Sequence, residues 1–235
     1  MPTTVILDAL PGPIELDLDQ TALIIIDMQR DFLLPGGFGE TLATTSRNCS
    51  ASSNPSLLCS TPRGRSGCSS STPGGGASAR PVGLPAGQAQ PRPTVEADRR
   101  PGGAFGRILI RGEYGHDIID ELAPPLDTEV VIDKPGKGAF YATELSKVLA
   151  DNEITQLLVT GVTTEVCVHT TTREANDRGF ECVVVSDCVG SYFPPDFQRV
   201  GLEMIAAQGG IFGWTAPGTA IIPLLNGRAP VEPAV

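Results

Sequence analysis

Thr21-Ala22-Leu23-Ile24-Ile25-Ile26-Asp27 is the stretch on which the fold turns. It is an almost unbroken apolar run, rich in β-branched residues and closed by one carboxylate. A run of this kind, without alternation, suits a strand buried on both faces, as in a parallel sheet. The form recurs at 129–132, which leads into Asp133-Lys134, and at 156–160, which leads into Gly161. Residues 181–186 repeat it, and 210–214 is read as the last strand. Helical patterns fill the gaps at 143–152, at 164–178 with Gly179 as the stop, and at 195–208. Strands alternating with helices predict an α/β fold of three layers, with a mostly parallel sheet between helices.

Composition narrows the function. The chain has 235 residues, enough for one sizeable domain spanning 1–235. Lys and Arg number 17 against 27 Asp and Glu, a net charge of -10 that repels phosphate backbones and argues against nucleic acid. No apolar run approaches the roughly 18 residues of a membrane span. Residues 1–13 lack the basic start and long apolar stretch of a signal peptide. Six cysteines without a CxxC pair fit a reduced, cytoplasmic protein better than a disulfide scaffold or a zinc site. Two histidines and no D-x-H pair give no support to a catalytic metal. Gly136-Lys137-Gly138 is not a phosphate-binding loop, and no G-x-G-x-x-G follows a strand, so no nucleotide cofactor is expected.

Residues 44–102 break the pattern. Ser, Pro, Gly and Arg crowd them, all their basic residues are Arg, and Cys49, Cys59 and Cys68 fall among them. As written they read as a low-complexity, disordered insert. A loop that long inside a compact domain argues against the literal reading. In a frame begun one nucleotide earlier, every TCN serine and TGY cysteine codon becomes xTC or xTG, which encode only apolar residues. Positions 49, 50, 52, 53, 56, 59, 60 and 66 then turn apolar at helical spacing, and Cys68–Ser71 becomes a buried strand. Further slips near 74–76 and 102–103 restore the written frame. The expectation is a frameshifted segment, with a helix–strand unit missing or disordered in the chain as written. Resequencing codons 40–105 tests it, and an unchanged frame refutes it.

Three chemically distinct residues stand at strand ends: Asp27, Lys134 and, past Gly161, Cys167. Ligands of open parallel sheets bind at the carboxyl ends of the strands, so the three can converge on one pocket. Each alone has an ordinary explanation, as a helix cap, a solvated lysine or a packed cysteine. Cys167 lies in the first turn of a helix beginning near Thr163 or Thr164, where the dipole favours a thiolate and can lower the pKa to roughly 3.5–7.5. A lysine would assist the thiolate and a carboxylate would take its proton. Cys182 is expected in the core and Cys188 in a loop after the strand. His169, two residues from Cys167, faces about 200° around the helix. His116 sits in a polar loop, so neither completes a Cys–His dyad.

Residues 22–32, 133–140 and 160–176 resemble, in order, the three motifs of isochorismatase-like cysteine hydrolases. The resemblance implies a six-stranded parallel sheet and a cis peptide between Val162 and Thr163. It also implies a mechanism in which Asp27 deprotonates Cys167, Lys134 assists, and a thioester forms as an amine leaves. The N–H groups of Thr163 and Cys167 would form the oxyanion hole. Asp133-Lys-Pro-Gly-Lys-Gly-Ala-Phe140, Thr163-Thr-Glu-Val-Cys-Val168, residues 173–178 and Ala207-Gln-Gly-Gly210 are similar to the biuret amidohydrolase subgroup. That implies a small amide or ureido substrate such as biuret, with substrate contacts at Gln208, Phe32 and Phe140, and a homo-oligomer, dimer or tetramer. Ureidoacrylate and other carbamoyl amides compete, while the metal-binding histidines of nicotinamidases are absent. Two other classes stay open: an inactive product of a frameshifted gene, and a binding module that uses the pocket without hydrolysis.

Overall fold

The structure, a computed structural model, describes residues 4–42, 68–71, 104–122, 129–193 and 195–226. Thr4–Leu7 (β1) and Ile14–Asp17 (β2) form an antiparallel hairpin. A bridge from Leu10 to Thr215 ties it to the far edge of the main sheet. That sheet is built from Thr21–Ile26 (β3), Cys68–Ser71 (β4), Val130–Asp133 (β5), Gln156–Val162 (β6), Glu181–Gly190 (β7) and Trp214–Ala216 (β8). Its order is β5-β4-β3-β6-β7-β8, and every pairing is parallel. All residues of β3 and β6 are buried, as unalternating apolar runs require.

Helices connect the strands: Arg30–Leu33 (α1), Phe38–Leu42 (α2), Leu145–Asp151 (α3), His169–Asp177 (α4), Pro195–Gly210 (α5) and Gly218–Leu225 (α6). One core cluster joins Leu23, Ile25 and Leu158 to Val183, Val185 and Leu224 on one face of the sheet. The other joins Ile24, Ile26 and Val159 to Leu145, Leu149, Ala175 and Ile205. Successive residues of one strand feed opposite clusters, which is the pleat at work in a sheet covered on both sides. The α/β architecture follows the expectation. Among the described residues, no helix is long and apolar enough to cross a membrane.

The structure departs from the sequence reading in several places. The last strand begins at Trp214, not at residue 210. Gly209, Gly210 and Gly213 all have positive φ, so 209–213 is a turn, and a Cβ on Gly213 would meet the Cys182 carbonyl at 2.3 Å. The strand slot beside β3 is not missing: β4 occupies it on the residues as written, pairing with β3 and β5. The physical reason is that both neighbours present backbone ladders, which any backbone can satisfy. The helix expected at 49–66 lies outside the described residues, as do Cys49, Cys59 and most of the 44–102 segment.

Candidate active site

Asp27, Lys134 and Cys167 are brought together at the carboxyl ends of β3, β5 and β6. Asp27 leaves β3 with φ +53, a left-handed conformation uncommon for a residue with a side chain. Such strain costs of the order of 1–3 kcal/mol and persists where the surroundings over-determine it. Here the Gln29 N–H donates back to the Asp27 carbonyl at 2.8 Å, closing the turn. Lys134 follows β5, and its Nζ lies 2.8 Å from Asp27 Oδ2 with both side chains 0% exposed. The same Nζ donates to the Gly136 carbonyl at 3.1 Å.

Gly161 sets the third wall. It has φ +106, and a Cβ there would sit 2.1 Å from the Ile26 carbonyl, so only glycine lets β6 close against β3 beside Asp27. The next peptide but one, Val162–Thr163, is cis. Thr164–Val168 then forms a π-helical turn whose Val168 N–H donates to the Thr163 carbonyl at 3.1 Å. The helix expected over 164–178 is therefore two pieces, this turn and α4. Single π turns inside helices are frequent at functional sites.

Cys167 is buried in that turn, and its thiol is hydrogen-bonded to Asp27. Burial first, then the negative charge of Asp27, push the thiol up to about 12, against the opposing pull of Lys134 and Lys137. This corrects the expectation of a depressed pKa at a helix start. Desolvation and a neighbouring carboxylate outweigh the dipole of one short turn. The resting site thus holds a thiol with a base already in contact, where the sequence suggested a free thiolate.

The remaining predicted residues divide. Phe32 stacks on Tyr192 with centroids 6.4 Å apart, and Tyr192, at the carboxyl end of β7, donates its hydroxyl proton to the Phe32 carbonyl. Phe140 is buried in the core against Phe180, centroids 5.9 Å apart, with Arg178 over its ring. Gln208 is not brought to the three residues. It lies in the kinked end of α5, just before β8, at the amino ends of the strands, because β7 and β8 are parallel and their connection must carry the chain back to that end. Cys182 is core, and Cys188 falls within β7 rather than after it. His169 is buried, with Nδ1 accepting from Arg173 Nε at 2.9 Å; burial and then Arg173 hold its pKa down. His116 is buried.

Sequence reading missed what holds residues 104–122 against the site. Gln29 Nε2 donates to the His116 carbonyl at 2.6 Å, Arg30 pairs with Asp117 and Asp120, and Asp31 accepts the Leu109 N–H at 2.7 Å. Burial pushes the Asp31 carboxyl up. Arg111 meets Asp133, so one segment is tied to both the Asp27 and the Lys134 loops. The only signal in the sequence was the density of polar residues in Gln29-Arg30-Asp31 directly after a buried strand.

A parallel α/β sheet with a buried carboxylate–lysine pair against a thiol defines a class of cysteine-centred sites, and comparison with known proteins gives the family. The Isochorismatase domain model matches residues 90–216, more than half of the chain, and the chain belongs to that family of hydrolases. It is similar to the ureidoacrylate amidohydrolase RutB of Pantoea ananatis, 27% identical over 220 residues, covering 90% of this chain and 84% of that protein. A cysteine hydrolase from Pseudomonas syringae pv. phaseolicola shares the fold with a TM-score of 0.71 at 23% identity, over 93% of this chain and 97% of that one. N-carbamoylsarcosine amidase from Thermoplasma acidophilum does so with a TM-score of 0.57 at 21% identity, over 80% and 92%.

Proposed function

We propose that this chain is a cysteine-dependent amidohydrolase that cleaves a C–N bond of a small ureido or amide substrate of the biuret kind through a thioester. The observation that carries the reading is the contact set of Asp27, Lys134 and Cys167, with the ion pair at 2.8 Å and fully buried. A buried ion pair is a poor way to gain stability, and breaking one is costly, so its presence beside a thiol argues for chemistry.

In the proposed sequence the Cys167 thiol gives its proton to Asp27 as Sγ attacks the substrate carbonyl carbon. Raising the thiol pKa does not prevent this, because the proton moves in the attack and Lys134 balances the charge that develops. The N–H groups of Thr163 and Cys167 receive the oxyanion. The C–N bond breaks as the leaving nitrogen takes the proton from Asp27. Water then loses a proton to Asp27 and attacks the thioester, and the sulfur departs with that proton to restore the thiol.

A second substrate, ureidoacrylate, is favoured by the named activity of the similar protein in Pantoea ananatis. Both substrates present the same N–C(=O)–N group to the nucleophile. The test is ammonia release from biuret and from ureidoacrylate by the full chain and by Cys167→Ala. Turnover of either that is lost in the variant supports the mechanism, and the larger kcat/KM assigns the substrate. Turnover that survives Cys167→Ala refutes the nucleophile. Binding of either substrate without turnover by the full chain refutes hydrolysis in favour of a binding module.

A further inference from the structure

In the sheet β6 is flanked by β3 on one side and β7 on the other. Side chains that leave the carboxyl ends of those two neighbours meet across its end. Phe32, on α1 after Asp27, stacks on Tyr192 after β7, with ring planes 16° apart. Phe38 meets Phe32 edge-on from α2, with centroids 6.4 Å apart. Gly190 pairs with Val162 in the ladder, so the chain reaches Tyr192 just past the level of the cis peptide between Val162 and Thr163. Val162 and Tyr192 lie in one buried cluster, and Phe32 packs against it.

The Tyr192 hydroxyl supplies what α1 lacks. Helix α1 is a single turn of four residues, too short to hold a side chain in place by its own hydrogen bonds. Its Phe32 N–H donates to the Gln29 carbonyl at 3.1 Å, and its Phe32 carbonyl accepts from Tyr192, which is 3% exposed. A Cβ on Gly39 would meet that carbonyl oxygen at 2.2 Å and the hydroxyl oxygen at 2.7 Å, so α2 lies directly over the bond. Phe32 is thus held at both backbone groups, with its ring between two others. An aromatic face held still favours planar groups, which stack on it within van der Waals contact. The carbonyl of an amide or ureide is coplanar with its nitrogens, and Sγ must approach that plane from one face.

We propose that Tyr192 is a positioning residue: through the Phe32 carbonyl it fixes the Phe32 ring as a flat wall that holds planar amide and ureido groups against Cys167. Tyr192 acts through Phe32 and not on the substrate. The inference rests on Cys167 being the nucleophile of an amidohydrolase.

Two small neutral thiol reagents of different shape separate a wall from a scaffold. Iodoacetamide carries a planar amide, and Sγ displaces its iodide. Methyl methanethiosulfonate carries a tetrahedral sulfonyl group, and Sγ displaces methanesulfinate. Both reagents draw on the same thiolate, so a shifted thiol pKa or a general opening of the site moves both rates together. Peptide mass spectrometry confines the readout to Cys167, apart from Cys182 and Cys188. Tyr192→Phe keeps the buried ring and loses the hydroxyl. It is expected to stay folded by circular dichroism and to lower the ratio of the iodoacetamide rate to the methanethiosulfonate rate about 5-fold, the effect of one lost neutral hydrogen bond. Phe32→Leu is expected to lower the ratio at least as far, and Tyr192→Phe to add nothing in that background, because one residue acts through the other. With whichever of biuret and ureidoacrylate the parent turns over, Tyr192→Phe is expected to raise KM about 5-fold with kcat unchanged, as the loss of uniform binding does. An unchanged reagent ratio in Tyr192→Phe overturns the proposal, and so does a further fall when that substitution is added to Phe32→Leu. A parent that turns over neither ureide refutes the amidohydrolase, while the reagent ratio still decides the role of Tyr192.

Discussion

Lys134 is a four-carbon cation with no exposed surface, held by one carboxylate oxygen and one carbonyl. Removing its charge strands Asp27 in a low-dielectric interior, and breaking such a pair costs about 3–5 kcal/mol. Lys134→Met is therefore expected to lower unfolding free energy by that order in urea titrations. Asp27→Asn combined with Lys134→Met is expected to recover most of it, while neither variant turns over substrate. Equal losses in the single and double variants would mean the pair is not the origin of the cost. Cys167→Ala is expected to reduce kcat by at least about 10³-fold. The three residue identities were legible in the sequence, because each terminates or closely follows a recognisable strand. The protonation state of Cys167 was not. It is set by Asp27, 140 positions away in the chain, and by burial from elements that periodicity does not bring together.

Among the elements, β3, β6 and β7 were legible because a strand buried on both faces writes its burial as an unbroken apolar run. The hairpin β1–β2 was not read: each strand is four residues long and only partly buried, so its pattern is too short to separate from a loop. Gln208 was placed by motif, and motif carries no information about which end of the sheet a residue reaches. Gly161 shows where element and site meet. Gly161→Ala would thrust a methyl group to 2.1 Å from the Ile26 carbonyl at a backbone φ of +106. Separation of β6 from β3 is expected, with a stability loss of at least about 2 kcal/mol and a fall in kcat. A neutral result in thermal melts would show that the two strand ends are not in contact. Arg30→Ala acts on the other side, releasing Asp117 and Asp120. Those acids are largely exposed, so the stability change is expected within about 1 kcal/mol. A rise in KM is expected instead if residues 104–122 form a wall of the substrate pocket, and an unchanged KM would exclude that role.

Across the whole molecule, two thiols shape the response to alkali. Cys167 and Cys182 are both buried, and burial, followed by a neighbouring carboxylate in each case, raises their pKa from 9.0 to about 12. A group whose pKa is higher in the folded state binds its proton more tightly there. Its contribution to stability is therefore complete below pH 9 and is lost as pH climbs toward 12, because only the unfolded chain releases the proton. The slope is about 1.4 kcal/mol per thiol for each pH unit within that window. Lysines and tyrosines also titrate there, so the parent chain alone cannot isolate the effect. Cys182→Val removes one thiol from a buried position on β7, packed against α4, while keeping the volume close. Urea denaturation at pH 8.5 and at pH 10.5 is expected to show a smaller fall in stability for Cys182→Val than for the parent. Cys167→Ala, which removes the other thiol, is expected to show a similar gain, and the double variant the flattest profile of the four. Identical slopes in all four proteins would place both thiols in contact with water, contrary to the buried positions from which the effect derives.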